Sequence, residues 1–272
     1  MIYADLHAHT TASDGRLAPD ELVAAACDAG IEVLAVTDHD TVAGIEAAQK
    51  AAASTSLTVV AGVECTVHFK GHGLHLLGYG IDPNDAALRR HFDDYKTARR
   101  TRAQAIVQRL REKCGLSISW EDVTEQVPEE IVARPHIAAA LKQAGAVDTV
   151  NEAFERYLGD GGPGYVPLPT VDAVAVMHQI QAAGGVASIA HPGHWLPGTV
   201  LRGMIKAGLD ALECVHPSHD ASLEAYYRNR ARSHELHVTG GSDFHGPLTE
   251  HRYPGRIGLS RRAWERIASA CT

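Results

Sequence analysis

The sequence predicts an α/β fold, a distorted seven-stranded (β/α)7 barrel of the TIM type with one helical insertion. Short apolar runs recur about seven times along the 272 residues. Each run is followed by a polar turn, often with a histidine, and then by a helical pattern. About eight such units close a TIM barrel, so seven predict a smaller and distorted relative.

The predicted strands are short runs of apolar and β-branched residues. In chain order they cover Ile2 to Leu6, Val33 to Thr37, Leu57 to Val63, Leu74 to Tyr79, Val186 to Ala190, Ala211 to Val215 and His237 to Gly240. Good helix formers lie between them, at Pro19 to Ala29, Thr41 to Ala53 and Thr170 to Ala183. Alternating strands and helices predict a parallel sheet with the helices outside it.

The alternation stops between residues 88 and 165. Residues 89–115 read as one long charged helix, and residues 134–145 and 149–162 as two shorter ones, with no convincing strand. We therefore assign residues 1–87 and 166–272 to the barrel and residues 88–165 to a helical insert. Insertions after barrel strands project over the catalytic face, so we expect a lid over the active site. A purely structural elaboration is the alternative.

Composition and charge exclude several classes of protein. With 45% hydrophobic and 21% charged residues, the chain is globular rather than disordered. A formal charge of -8 argues against a broad basic surface for duplex nucleic acid but allows a small phosphorylated ligand. Five scattered cysteines predict neither disulfides nor a thiolate zinc site. No membrane segment or targeting signal is recognisable, so we expect a cytoplasmic protein, and no obligate protein partner is evident.

Histidine is the unusual residue, at 17 per chain. Imidazoles and carboxylates follow nearly every predicted strand: His7, His9, Asp14, His39, Glu64, His191, His216, Asp243 and His245. In a barrel of parallel strands these positions meet at one face. Because one metal ion needs fewer ligands than this, we infer a cluster of two or three ions.

The spacing of these residues also favours metal binding. His7 and His9 are alternate residues of an extended segment and so point the same way, as do Asp243 and His245. Glu64 is a carboxylate that could bridge two cations. Mixed imidazole and carboxylate sites suit zinc, manganese or iron. Taken singly, an H-x-H pair is often accidental, and both Asp14 and Asp38 could be turn or N-cap residues.

The segments DLHAHTTASDG, AVTDHDT, GVE, AHPG and GGSDFHG follow one another between residues 5 and 246. Motif by motif and in this order, they resemble the polymerase and histidinol phosphatase (PHP) family. The resemblance implies a distorted seven-stranded barrel that carries a phosphoesterase site with two or three metal ions. Manganese is the expected metal, with zinc or iron as alternatives.

The resemblance also implies a ligand set. One ion would be held by His7, His9, Glu64 and Asp243. A second would be held by Glu64, His191 and a histidine near the fourth strand, for which we prefer His75 over His68 and His72 because GLHLLGYG reads as a strand that carries His75 inward. A third would be held by Asp14, His39 and His245.

Within the family, the segments that begin at Arg134 (RPHIA), Ala190 (AHPGH) and Glu213 (ECVHPSH) resemble small stand-alone phosphatases. Those enzymes convert nucleoside 3',5'-bisphosphates, such as adenosine 3',5'-bisphosphate, into 5'-monophosphates, and some relatives attack short oligonucleotides. A histidinol phosphate phosphatase and a non-catalytic PHP scaffold are the alternatives. An amidohydrolase usually has a bridging lysine, and the nearest here, Lys70, falls in a predicted loop.

These expectations give roles to the remaining candidates. A hydroxide that bridges two ions would attack the phosphate, with Glu64 and Asp243 as the central carboxylates. His194 would protonate the departing ribose oxygen or contact the phosphate. Arg134, at the start of a predicted helix, would bind the phosphate that is not cleaved. His136 and His219 could line the same cleft, although ordinary surface roles are the alternative for all four residues.

Overall fold

The protein is described here from a computed structural model over residues 2–125, 132–246 and 253–271. The chain divides into two compact units. The first comprises Met1–Arg90 and Val171–Thr272, and the second comprises His91–Thr170. The first unit is the barrel and the second contains most of the predicted insert, whose role as a lid stays a prediction.

Seven strands of the described residues form one sheet in the order of the sequence. They are β1 (Ala4–Asp5), β2 (Val33–Val36), β3 (Thr58–Phe69), β4 (His72–Tyr79), β5 (Val186–Ile189), β6 (Ala211–Val215) and β7 (His237–Gly240). The Leu6 amide donates to the Gly240 carbonyl at 3.2 Å, and Ala8 forms a bridge with Phe244. These contacts bring the first and last strands together, so the barrel is nearly closed and the predicted fold class is confirmed.

The expectation of a wholly parallel sheet is wrong for β4, which is antiparallel to both β3 and β5. The cause lies in the link between β3 and β4. Lys70 and Gly71 have φ values of 50° and 81°, and two consecutive positive φ angles make the tight hairpin turn that suits antiparallel strands. Consequently β3 extends to Phe69 and β4 runs in the opposite direction to its neighbours.

The helices of the described residues are α1 (Pro19–Asp28), α2 (Ile45–Ala52), α3 (Ala86–Cys114), α4 (Trp120–Thr124), α5 (Arg134–Gln143), α6 (Val150–Ala153), α7 (Ala173–Ala182), α8 (Gly198–Lys206), α9 (Ala221–Ser233) and α10 (Arg261–Ala268). The predicted start at Pro19 is confirmed. The predicted start of the next helix at Thr41 is wrong, because the Thr41 hydroxyl accepts from the Ala43 amide in a turn that precedes α2. After α6 the chain continues as a π-helical turn over Phe154–Leu158.

Each unit has its own apolar core. In the barrel, Leu6, Leu77 and Tyr79 are fully buried with alanines and valines of the neighbouring strands. In the second unit, Ile106 and Leu110 of α3 pack in one cluster with residues of α5. No strand occurs among the described residues of the second unit, as the sequence predicts.

Candidate metal centre

Glu64 of β3 is fully buried and surrounded by five imidazoles. Its Oε2 atom lies 3.1, 3.3 and 3.4 Å from the Nε2 atoms of His7, His9 and His39. Its Oε1 atom lies 2.9 Å from both His75 Nδ1 and His191 Nε2. The two oxygens therefore face two different sets of histidines, which is the arrangement of a carboxylate that bridges two cations.

His75 comes to this position because β4 is antiparallel. It lies in the first half of β4, and its Cα partner on β3 is Thr66, while Leu77 is the partner of Glu64. Side chains two residues apart on a strand share a face, so His75 and Glu64 lie on the same side of the sheet. The two rivals, His68 and His72, belong to none of the metal-compatible groups found among the described residues.

Asp243 follows β7 and faces Glu64 across the histidines. Its Oδ1 atom lies 3.3 Å from the Nε2 atoms of both His7 and His9. The backbone φ angle is 50° at Asp243 and 26° at His191, in a region that non-glycine residues rarely adopt. Such conformations persist where surrounding contacts hold them, and they concentrate at functional sites.

Asp14 joins a third group at the more exposed edge of the cluster. Its Oδ1 atom lies 3.4 Å from His245 Nε2 and 3.7 Å from His9 Nδ1, and its Oδ2 atom lies 3.9 Å from His39 Nε2. The three residues predicted to hold a third ion, Asp14, His39 and His245, thus lie together with His9.

Asp38 holds the loop that carries Asp14. Its buried carboxylate accepts the Thr10 amide and the Ser13 hydroxyl on Oδ1, both at 2.7 Å, and the Thr10 hydroxyl on Oδ2 at 2.7 Å. The sequence left Asp38 open as a turn or N-cap residue. In the structure it ties β2 to the loop that follows β1.

The buried carboxylates and imidazoles of this cluster shift one another's pKa values. Burial alone would raise the pKa of Glu64, but the charges of His7 and His39 outweigh it and hold that pKa well below its usual range. The pKa of Asp243 is also lowered, against the effect of burial, by the adjacent imidazoles of His216, His9 and His7. Burial lowers the pKa of His39 to about 4. The carboxylates of Glu64 and Asp243 are therefore ionised at neutral pH.

The environment of His9 indicates that these donors fit a metal ion. Its ring is fully buried, yet neither ring nitrogen has a hydrogen-bond partner among the described residues. A buried polar atom without a partner carries a desolvation cost. Because His9 Nε2 lies 3.3 Å from both Glu64 and Asp243, a cation between these groups would satisfy all three. The residues present thus fit divalent ions.

The sequence patterns did not predict a role for two buried carboxylates of this site. Glu213 in β6 lies 2.9 Å from His7 Nδ1 and accepts the His191 amide at 2.5 Å. Asp5 in β1 accepts the Ser242 amide at 2.9 Å and so links β1 to the loop of Asp243. A lone acid inside an apolar strand, as in ALECV (residues 211–215), is the signal that could have found them.

His216 was noted after the sixth strand but not assigned as a ligand. Its Nε2 atom lies 3.3 Å from Asp243 Oδ2, and its Nδ1 atom accepts the Ser218 amide at 3.1 Å. His216 therefore borders the cluster on the side of Asp243.

The predicted substrate-binding residues of the barrel lie beside His191. His194 is exposed in the loop that follows β5. His219 donates from Nδ1 to the Cys214 carbonyl at 2.9 Å and accepts the Gly193 amide on Nε2 at 3.2 Å, so it holds that loop. Whether either residue contacts substrate stays a prediction.

The two predicted residues of the second unit lie at the start of α5. Arg134 Nη1 lies 2.9 Å from Asp160 Oδ1 and 3.2 Å from the Leu158 carbonyl. His136 Nδ1 accepts the Ala133 amide at 3.0 Å. Their roles toward substrate are also untested predictions. Lys70 lies in the hairpin turn rather than within the cluster.

Comparison with known proteins now identifies the family. The profile of the PHP domain matches residues 5–157, which is more than half of the chain. The chain belongs to the PHP domain family. The recognition made from the five motifs is confirmed, and with it the enzyme class, a phosphoester hydrolase.

Relatives of this PHP chain have different substrates in their names. A 5'-3' exoribonuclease of Haemophilus influenzae is 36% identical over 251 residues, which cover 89% of this chain and 90% of the relative. A 3',5'-nucleoside bisphosphate phosphatase of Chromobacterium violaceum is 34% identical over 253 residues, 91% of this chain and 88% of the relative. A solved structure from Bifidobacterium adolescentis, described as a metal-dependent phosphoesterase, has a TM-score of 0.84 at 32% identity and covers 100% of this chain and 97% of its own.

Among the described residues of the PHP chain, no helix combines the length and apolar character needed to span a bilayer.

Proposed function

We propose that this PHP chain is a metal-dependent phosphatase that removes the 3'-phosphate of nucleoside 3',5'-bisphosphates. The products would be a nucleoside 5'-monophosphate and inorganic phosphate. The observation that carries the proposal is the position of Glu64, whose two oxygens face separate groups of imidazoles at 2.9 to 3.4 Å. The named activity of the Chromobacterium violaceum relative supports the choice of substrate.

The metal ions would be held in three groups: His7, His9, Glu64 and Asp243; Glu64, His75 and His191; and Asp14, His39 and His245. We propose manganese as the resident metal, with zinc or iron as alternatives that suit the same donors. When bound, such ions supply a nucleophile from water near neutral pH and neutralise charge on the phosphate. Glu64 and Asp243 are both ionised at neutral pH and would hold the ions in place during hydrolysis of the phosphate ester.

Water adds to phosphorus while the bond from phosphorus to the ribose 3'-oxygen breaks. The departing oxygen takes the electron pair of that bond, so it needs a proton. His194 is our candidate for that donor. It follows His191 by three residues, and its side chain is exposed. His219 fixes the Gly193 amide between them, and the Tyr227 hydroxyl donates to the Gly193 carbonyl at 2.5 Å, so this loop is held from both sides.

The 5'-phosphate needs a separate receptor, and we propose Arg134. Its guanidinium has an exposed carboxylate partner, Asp160, whose side chain is 81% exposed. A surface ion pair of this kind contributes little stability, so a substrate phosphate could replace Asp160 at small cost. The planar guanidinium matches a phosphate through two parallel hydrogen bonds. His136, two residues further along α5, is a second candidate contact.

The relative from Haemophilus influenzae favours a second activity, stepwise hydrolysis of RNA from its 5' end. An exonuclease would act on a phosphodiester and release a nucleotide, whereas a phosphatase releases inorganic phosphate. The same metal centre could serve either reaction. The two activities would therefore differ in which part of the substrate next to the scissile phosphate the protein binds.

A substrate panel separates these activities. Purified chain with Mn²⁺ would be assayed on adenosine 3',5'-bisphosphate, AMP, histidinol phosphate and a 5'-phosphorylated RNA tetramer, with phosphate and nucleotide release followed separately. We expect the highest kcat/KM for the bisphosphate, with AMP and phosphate as products. A higher kcat/KM for the tetramer would make the chain an exoribonuclease, and a preference for histidinol phosphate would overturn both assignments.

A further inference from the structure

Glu213 is the buried carboxylate that links two of the proposed metal ligands. It lies in β6 and is fully buried. Its Oε1 atom is 2.9 Å from His7 Nδ1, and its Oε2 atom accepts the His191 amide at 2.5 Å. His7 follows β1 and His191 follows β5, so one carboxylate joins groups from two separate strands.

The bond to Glu213 determines which nitrogen of His7 is free for other partners. An ionised carboxylate can only accept hydrogen bonds, so His7 Nδ1 must carry the proton in this contact. The opposite nitrogen, Nε2, then lies 3.1 Å from Glu64 and 3.3 Å from Asp243. A histidine whose Nδ1 donates to a carboxylate presents Nε2 as a fixed and more basic ligand.

We propose that Glu213 is a positioning residue that holds His7 with Nδ1 protonated and Nε2 directed at the metal, and that fixes the backbone of His191 at the same time. This inference rests on the proposed metal centre. It assigns Glu213 no contact with substrate.

The neighbouring contacts favour this role over direct metal binding by Glu213. His7, Glu213 and His216 lie close enough together to hold an ion. However, both carboxylate oxygens of Glu213 already accept an N–H, and His216 accepts the Ser218 amide on Nδ1. The proton of His216 is then on Nε2, which lies 3.3 Å from Asp243 Oδ2, so neither ring nitrogen of His216 offers a free lone pair to an ion in this group.

Glutamine at position 213 is the sharpest probe, because it keeps the size of the side chain and loses one acceptor. The amide of glutamine has one oxygen and one NH₂ group, so in either orientation its NH₂ meets the N–H of His7 or that of His191. Asp210→Asn is the matched control. Asp210 lies just before the same strand and its carboxylate accepts the Ala187 amide of β5 at 2.9 Å, but none of the recorded hydrogen bonds of that carboxylate is to a histidine.

The first measurement is Mn²⁺ affinity of the metal-stripped chain by calorimetry, beside urea unfolding of the same proteins. Loss of a partner that orients a ligand typically costs about 10- to 100-fold in metal affinity. We expect that loss in Glu213→Gln and less than about a twofold change in Asp210→Asn. Equal affinity of Glu213→Gln and the wild type would overturn the proposal, as would loss of one whole equivalent of bound metal, because Glu213 would then be a ligand.

The second measurement is made on the wild-type chain and uses a variant for assignment alone. In the ¹⁵N-labelled wild-type chain loaded with Zn²⁺, the ring nitrogens of His7 can be assigned by comparison with His7→Asn. We expect a proton on Nδ1 and a metal-bound Nε2, whereas a metal-bound Nδ1 would overturn the proposal. Failure of the wild-type chain to bind either ion would instead overturn the proposed function, and this inference with it.

Discussion

The imidazole rings of His9 and His245 are stacked, with their centroids 4.0 Å apart and 23° between their planes. Two protonated imidazoles at this separation repel each other. Burial lowers the pKa of His245, but its bond to Asp14 outweighs this and raises it to about 9. In the metal-free chain His245 therefore carries a proton at neutral pH, and a third ion would compete with that proton for the imidazole.

Binding of metal should release protons, and its affinity should rise with pH. His245 must lose its proton to ligate, so the apparent affinity for Mn²⁺ should increase from pH 6.5 to about pH 9, where that proton is lost. Calorimetry in two buffers with different ionisation enthalpies measures the released protons directly. A pH-independent affinity over this range, or no released protons at pH 7, would contradict the assignment of His245.

The stability of the metal-free chain should depend on the pair Asp14 and His245. The pKa of His245 is raised in the folded state, so its contribution is complete below pH 6.5 and is lost as the pH rises to about 9. The pKa of Asp14 is lowered by the bond from His245 and by nearby histidine charges despite burial, so its contribution is present above pH 4 and is lost on acidification.

Thermal unfolding in chelator checks this window. The Tm difference between the wild type and His245→Gln should be greatest between about pH 4 and 6.5 and should shrink on both sides. His178→Gln is the control, since His178 is an exposed histidine that bonds only to the Ala207 carbonyl among its recorded contacts. A Tm difference between the two proteins that grows above pH 7 would contradict the raised pKa of His245.

Glu64→Gln should lower metal content and turnover together. The substitution removes the charge that faces five imidazoles and leaves one side with an amide nitrogen. We expect a loss of more than about 100-fold in metal affinity, because removal of a ligand should cost more than removal of a residue that orients one, which typically costs about 10- to 100-fold. Asp40→Asn is the control, because its buried carboxylate bonds to the Thr66 amide and hydroxyl. Near-normal metal content of Glu64→Gln by elemental analysis would exclude a bridging role.

Asp14→Ala should affect one ion rather than the whole cluster. Asp14 lies near His9, His39 and His245, but it has no recorded contact with His75 or His191. We therefore expect the bound metal to fall by about one equivalent per chain, with the remaining ions retained. Elemental analysis after gel filtration measures this stoichiometry. Loss of all metal would show that the three groups are not separable.

The sequence patterns identified candidate ligands that directly follow apolar strands. They did not identify features that depend on the direction of a strand or on which of its faces meets the site. His7, His9, His39 and Asp243 were found because each comes directly after a strand or within its turn. The antiparallel direction of β4 was missed, although the two-residue turn at Lys70 and Gly71 indicates it. The role of Glu213 depends on which face of β6 meets His7, and one sequence does not specify that face.

Arg134→Ala should weaken activity on a bisphosphate more than on a substrate that has only the scissile phosphate. A bidentate, charge-assisted contact is worth about 1.5 to 3 kcal/mol, or about 10- to 150-fold. We expect that loss in kcat/KM for adenosine 3',5'-bisphosphate and a small change for adenosine 3'-monophosphate. Arg134→Lys should be intermediate, because lysine keeps the charge but loses the planar pair of donors.

The comparison of two substrates separates recognition from chemistry, since loss of metal or of the fold would lower both rates together. Arg156→Ala is the matched control. Arg156 belongs to the same unit and also pairs with a carboxylate, Glu152 at 2.5 Å, so it reports the cost of removing a paired surface arginine. Equal losses on both substrates would refute binding of the second phosphate by Arg134. Unchanged kinetics on both would place Arg134 outside the site and leave its bond to Asp160 as an ordinary surface ion pair.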